Sequence, residues 1–182
     1  MNIGLDIDDT MTNTSELKIE YFRKFFKIDD MDKLIDMLNP KKIDGELSDF
    51  FEKNLLEMTK SYTLKENVKD VIDRLRSKGH KIFIITARGC RIDGGIVEET
   101  KKYLDNNGIV VDKVIMKLRE KTDACIENKI DIMVDDSISI LEELKNNNIK
   151  TVLFNSIVNK NIDTDIDRVN NWIEVENYID NL

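Results

Sequence analysis

Apolar and polar positions along this 182-residue chain follow two periods, one of strands and one of helices. Ile3 to Leu5 form a short apolar strand that runs into polar residues at Asp6. Three segments of helical spacing follow with no strand between them. Leu17, Tyr21, Phe22, Phe25 and Phe26 share one helical face; Met31, Leu34, Ile35 and Leu38 repeat the spacing, and Asn39-Pro40 ends that run. Leu47, Phe50, Phe51, Leu55, Met58 and Tyr62 make a third stripe. Residues 13–62 therefore read as an all-helical insert.

From Thr63 onward strand and helix signals alternate. Thr63 and Glu66 have capping-box spacing ahead of a helix carrying Val68, Val71, Ile72 and Leu75, and Gly79 closes it. The run from Lys81 to Thr86 is too apolar to expose either face, as central parallel strands are. The pattern next predicts a helix over 95–107, a strand over 110–116 and a helix over 119–128. A strand over 130–134 ends on Asp135-Asp136, then come a helix to Asn147, a strand over 151–154 and a closing helix around Trp172 and 175–182. Strand–helix repetition of this kind gives an α/β fold, a parallel sheet with helices on both faces. The expected division is a core of residues 1–12 and 63–182 interrupted by the insert at 13–62.

Ligands of such sheets sit beyond the carboxyl ends of the strands, where strand order reverses. Topology brings Asp6, Asp8, Asp9, Thr86, Arg88, Asp135 and Asp136 there. Asp6 and Asp8 are two apart, so on extended backbone they leave the same face. Like charges that close repel unless a cation offsets them, and hard carboxylate oxygens favour magnesium.

Composition narrows the picture further. A formal charge of -8 and a pI near 4.8, with no basic stripe, argue against a nucleic-acid polymer as partner. Cys90 and Cys125 have no spacing suited to a disulfide framework or zinc. No run approaches the ~18 apolar residues of a membrane span. The sequence opens on a strand instead of a basic then apolar leader, so a cytoplasmic protein with no membrane partner is expected. His80 begins a strand after a glycine turn and reads as structural; Cys90 reads as a loop thiol, and Thr10 and Ser137 as candidate helix caps.

The order Asp6-Ile7-Asp8-Asp9-Thr10, then Thr86, Lys121 and Asp135-Asp136 resembles the haloacid dehalogenase superfamily. The resemblance implies a Rossmann-like core with a small helical cap at 13–62, and a magnesium-dependent phosphomonoesterase. It implies that Asp6 is the nucleophile, forming an aspartyl-phosphate, and a metal ligand. Asp8 would ligate through its backbone carbonyl and serve as general acid and base. Thr86 would donate to a phosphoryl oxygen, and Lys121 would offset charge on Asp6 and the phosphoryl group, with Lys117 the competing lysine. Asp136 is favoured as the direct metal ligand, with Asp135 as an outer or alternate one.

Within the superfamily the chain is similar to the 5′(3′)-deoxyribonucleotidases and their bacterial relatives. The likeness rests on Ile85-Thr86-Ala87-Arg88, Thr100 to Leu104, Asp131 to Ser137, Phe154-Asn155 and Asn159. It implies a small phosphorylated metabolite as partner, a nucleoside monophosphate whose base stacks on cap aromatics, with Phe22 and Phe26 as candidates. Arg88 or Arg91 is the candidate for a second anionic group. Asp9 stands where glycine is common and adds negative charge beside the metal. Two alternatives stay open: a sugar-phosphate or other small-metabolite phosphatase of the same fold, and a non-catalytic phosphoacceptor module. The first-strand acidic pair and the insert count against the latter.

Overall fold

The computed structural model describes all 182 residues. Its centre is a six-stranded sheet, parallel throughout. The strands are β1 (Asn2–Leu5), β2 (Lys81–Ile85), β3 (Lys113–Ile115), β4 (Ile132–Asp135), β5 (Lys150–Phe154) and β6 (Arg168–Val169), in the order β3-β2-β1-β4-β5-β6. Strand order reverses at β1, which pairs with β2 on one side and β4 on the other. Side chains from the β4 side approach β1 closely. A side chain at Gly4 would meet Met133 Sδ at 2.6 Å and Ile130 Cγ2 at 3.2 Å, so any larger residue there would have to displace these side chains.

The helices are α1 (Thr14–Phe26), α2 (Met31–Asp36), α3 (Gly45–Ser61), α4 (Val68–Ser77), α5 (Ile96–Asn106), α6 (Thr122–Glu127), α7 (Ile138–Asn146) and α8 (Trp172–Asp180). Successive strand residues point to opposite faces, and the core divides accordingly. Ile3, Leu5, Ile82, Ile84, Ile132 and Val134 pack with residues of α4, α5 and α8. Phe83, Ile85, Met133 and Leu153 pack with α6 and α7 on the other side. The helices α1 to α3 join the first of these cores, through Phe22, Leu34, Phe50, Phe51 and Met58. There Phe22 meets Phe26, Phe50 and Phe51 edge-on, at centroid distances of 6.1, 5.4 and 5.7 Å.

Local signals explain most element ends. Asp30 accepts from the amides of Asp32 and Lys33 and starts α2. Asn171 accepts from the amide of Glu174, whose carboxylate reaches back to the amide of Asn170. Gly79, at φ 86°, ends α4 in a Schellman turn: its amide bonds Arg76 O, and that of His80 bonds Leu75 O.

Other expectations need correction. The capping box at Thr63 and Glu66 does not form; Asn67, at φ 64°, precedes α4. Residues 63–65 instead run beside the loop after β1, with Asn13 N on Thr63 O at 3.0 Å and Lys65 N on Met11 O at 2.8 Å. Tertiary pairing overrode the local cap. The strand expected over 110–116 narrows to Lys113–Ile115 and the helix over 119–128 to Thr122–Glu127. β6 was not expected, because two residues between polar turns carry no period.

Glu176 of α8 is tied to α4 by Arg74 (Nη2 to Oε2 2.7 Å) and Lys78 (Nζ to Oε1 2.9 Å). The hydrogen bonds from Arg74, then Lys78, hold its carboxyl down at about 2 against the effect of burial. The usual value is 4.5, so this stabilisation is complete above that pH and is lost as pH falls toward about 2. The urea midpoint of Glu176→Gln should therefore fall less steeply than that of the wild type below pH 4.5. Equal slopes would remove this pairing as a source of acid sensitivity. No helix is long and apolar enough to cross a membrane.

Candidate active site

The polar residues that follow β1, β2 and β4 converge at one end of the sheet. The amide of Asp6 continues the β1–β4 ladder by bonding Val134 O at 3.0 Å, which fixes where its carboxylate emerges. Beyond it the chain turns sharply: the amides of Met11 and Thr12 both return to Ile7 O. Trp172, fully buried, donates from Nε1 to Thr10 O at 3.0 Å and backs this turn from α8.

Lys121 is the centre of the arrangement. Its Nζ lies 2.5 Å from Asp6 Oδ1 and 2.7 Å from Asp135 Oδ2, with 2% of the side chain exposed. Lys117 pairs instead with Asp93 at 2.6 Å, at the surface. Asp6, Asp135 and Asp136 each bring a carboxylate oxygen within 4.8 Å of the others. Burial pushes the Asp6 carboxyl up to about 7, with Lys121 opposing and Asp135 and Asp8 adding. Burial, with Asp9, Asp135 and Asp6, likewise pushes Asp136 well above the carboxylate range. One ammonium does not offset this much buried negative charge, and three converging carboxylates are a donor set suited to a hard divalent cation.

The two acidic residues after β4 differ in what they have left to offer. Asp135 uses both oxygens, one on Lys121 and the other on the amide of Ser137 at 2.9 Å. Asp136 meets only the hydroxyl of Ser156, at 3.3 Å from Oδ2. Its backbone is held by Asn159, whose Nδ2 donates to Asp136 O at 2.8 Å and to Phe154 O at 2.9 Å.

Asp8 faces another cation. Arg88 donates to it from Nη2 at 2.8 Å and from Nε at 3.1 and 3.2 Å, and Thr14 Oγ1 donates at 2.8 Å. Burial opposes ionisation, yet Arg88 holds the Asp8 carboxyl well below the usual range. The guanidinium also stacks over Tyr62, 4.9 Å from the ring centroid. Thr86 is fully buried at the end of β2; its hydroxyl accepts from Arg88 N at 3.4 Å, so its own proton is free to donate.

Asp9 is explained by the turn it occupies. At φ 59° it adopts the left-handed conformation that glycine favours and Asp tolerates. Its carboxylate accepts from the amide of Ser15 at 2.7 Å and from the Ser15 hydroxyl, capping the first turn of α1 from outside that helix. The extra negative charge thus has a structural partner.

Two cavities open at this end of the sheet. The larger, about 600 Å³, lies between Asp9 and Asp136 on one side and the α2 region on the other. Ile35, Leu38, Pro40, Val158 and Ile162 supply its apolar walls. The smaller, about 150 Å³, is beside Asp8, Tyr62 and Arg88. Lys18, on α1, lines both. Phe22 and Phe26 line neither; they belong to the aromatic cluster, so the expected base stacking on them has no geometric support. Tyr62, one of the cap aromatics the sequence offers, does reach the site, beneath Arg88; Lys18 was missed because a lone lysine on an amphipathic helix reads as solvated surface.

Of the remaining candidates, Cys90 lines the smaller cavity and Ser137 the larger, while His80 lies apart. His80 sits at the opposite end of β2, with its Nδ1 3.2 Å from the terminal ammonium. Cys90 is an exposed loop thiol that accepts from Arg119 Nε at 3.4 Å. Thr10 and Ser137 make no side-chain cap.

Comparison with known proteins agrees with this geometry. Residues 1–182 match the family model described as 5′ nucleotidase, deoxy (pyrimidine), cytosolic type C protein. A nucleotidase of Clostridium acetobutylicum is 28% identical, covering all of this chain and 95% of that protein. A haloacid dehalogenase-like hydrolase from Streptococcus pneumoniae superposes with a TM-score of 0.70 at 14% identity, over 98% of this chain and 97% of the other. A hydrolase of the same superfamily from Ehrlichia chaffeensis gives 0.63 at 15% identity, over 100% and 96%. These two likenesses show the shared fold. The match along the whole length carries the conclusion: the chain belongs to the 5′ nucleotidase, deoxy (pyrimidine), cytosolic type C family of phosphomonoester hydrolases, and it has the fold of haloacid dehalogenase-like hydrolases.

Proposed function

We propose that the protein is a magnesium-dependent nucleotidase that removes the phosphate of (deoxy)nucleoside monophosphates through a phosphoryl intermediate on Asp6. The observation that carries this reading is Lys121 held between Asp6 and Asp135, with Asp136 alongside. Magnesium, held by Asp6, the backbone carbonyl of Asp8 and Asp136, would offset the carboxylates and the substrate's charge. Asp136 is the better carboxylate for it than Asp135, whose oxygens already have partners.

The side chains then divide the work. Asp6 attacks phosphorus, and the bond to the leaving oxygen breaks. Thr86 donates to a phosphoryl oxygen and Lys121 offsets charge that builds on the transferred group. Asp8 gives the leaving oxygen a proton, then takes one from the water that releases phosphate from Asp6. Arg88 grips Asp8 here and keeps it ionised, so an entering ester must draw that guanidinium away before Asp8 can take up from solvent the proton it passes to the leaving oxygen. Residues 13–62 act as a cap on the core of 1–12 and 63–182: α1 delivers Thr14 and Lys18, and the α2 region walls the larger cavity.

A nucleoside fits a cavity of about 600 Å³ with aliphatic walls. A panel of deoxyribonucleotides, ribonucleotides and sugar phosphates, with magnesium and after chelation, tests the assignment. Nucleoside monophosphates should have the highest kcat/KM, and chelation should abolish turnover. A sugar phosphate that outperforms them would favour the second reading, a sugar-phosphate phosphatase, to which the lack of an aromatic wall in that cavity lends support. No turnover of any ester would overturn both.

A further inference from the structure

The smaller cavity beside Asp8 is richer in cations than one phosphoryl group requires. Lys18, Arg88 and Arg91 line it, against Asp8 as its only carboxylate. Arg88 offsets Asp8, yet its Nη1 has no partner although the side chain is only 4% exposed. An unpaired donor buried to this degree is costly unless a ligand or water meets it. Lys18 has no ion pair; burial works against its charge, but Tyr62, Asp8 and Asp9 raise its pKa above that of an ordinary lysine. Arg91 bonds Ile43 O at 2.7 Å through one nitrogen, leaving its other donors available. The Tyr62 ring beneath Arg88 completes a fixed, donor-rich wall.

The supports of this wall are also built in. Asp9 pins the first turn of α1 through Ser15, and Lys18 lies one turn further along the same helix. Tyr62 follows the end of α3, so two segments of the insert bring groups to one side of Asp8.

We propose that this cavity is a second anion subsite, selecting phosphomonoesters whose leaving group carries another anionic group, a phosphate or a carboxylate. It rests on the reading that Asp8 serves the leaving oxygen, which brings that oxygen beside this cavity; the bulk of the leaving group can occupy the larger cavity, which shares Lys18, while its anionic substituent reaches this one. Lys18, Arg91 and the free Nη1 of Arg88 supply the donors, and the volume of about 150 Å³ admits a single small anionic group, not a nucleoside.

Matched pairs of esters test it by kcat/KM: a nucleoside 5′-monophosphate against its 3′,5′-bisphosphate, and glycerol 3-phosphate against 3-phosphoglycerate. The doubly anionic member of at least one pair should be favoured by about tenfold or more, mostly in KM. The pair showing it identifies whether phosphate or carboxylate is read. Lys18→Met and Arg91→Met should each reduce that ratio, and Lys18→Arg should restore it; thermal unfolding confirms that the variants are folded. Equal values within both pairs would overturn the subsite while leaving the phosphatase reading intact. So would a Lys18→Met variant that loses activity on all four esters alike, which would place Lys18 on the transferred phosphoryl group. Failure to hydrolyse any ester would overturn both proposals.

Discussion

Asp6→Asn is expected to lower kcat by at least about 10⁴-fold while the protein stays folded. The substitution is nearly isosteric, and the backbone position is set independently by the bond from Asp6 N to Val134 O. What it removes is an ionised oxygen able to attack phosphorus, along with one carboxylate of the cluster. The amide can still accept from Lys121. Residual hydrolysis within tenfold of wild type, measured with p-nitrophenyl phosphate and magnesium, would rule out Asp6 as the nucleophile.

The second large effect falls on stability and activity together. Lys121→Met leaves the buried Asp6 and Asp135 facing each other without their shared ammonium. Removing one partner of a buried charge cluster costs about 3–5 kcal/mol. Unfolding in urea with chelator present should show a loss of that order, and millimolar magnesium should recover part of it by supplying another positive charge. Turnover should not return, because no ammonium remains to offset the transferred group. A variant as stable as wild type in chelator would mean that the cluster does not depend on Lys121.

Much of this site was legible because its parts are tied to strand ends. Asp6, Thr86 and Asp135-Asp136 each follow an apolar run, and the topology of a parallel sheet places such positions together. The aromatic residues were harder. Phe22 and Phe26 have both the spacing of a helix core and the chemistry of a stacking platform, and the periodic pattern cannot choose between these. The structure shows the core. Lys18 was illegible for a related reason: a single lysine on an amphipathic helix looks like solvated surface, and only the closeness of α1 to Asp8 changes its meaning.

Asp9 shows what local geometry adds. Read as sequence, it was surplus charge beside a metal. Its left-handed backbone and its bonds to Ser15 make it the link between the turn after β1 and the first helix of the insert. The capping box at Thr63 failed for the opposite reason, since pairing of residues 63–65 with the loop after β1 is a contact between distant segments.

The covalent step is where the proposed mechanism is most exposed to test. A p-nitrophenolate leaving group departs without a proton, so Asp8→Asn should still permit transfer from p-nitrophenyl phosphate to Asp6 while slowing release by water. Acid quenching of that variant with magnesium, followed by mass mapping, should find a phosphoryl group on Asp6. Release of p-nitrophenol with no adduct, or with an adduct on another residue, would contradict nucleophilic catalysis by Asp6.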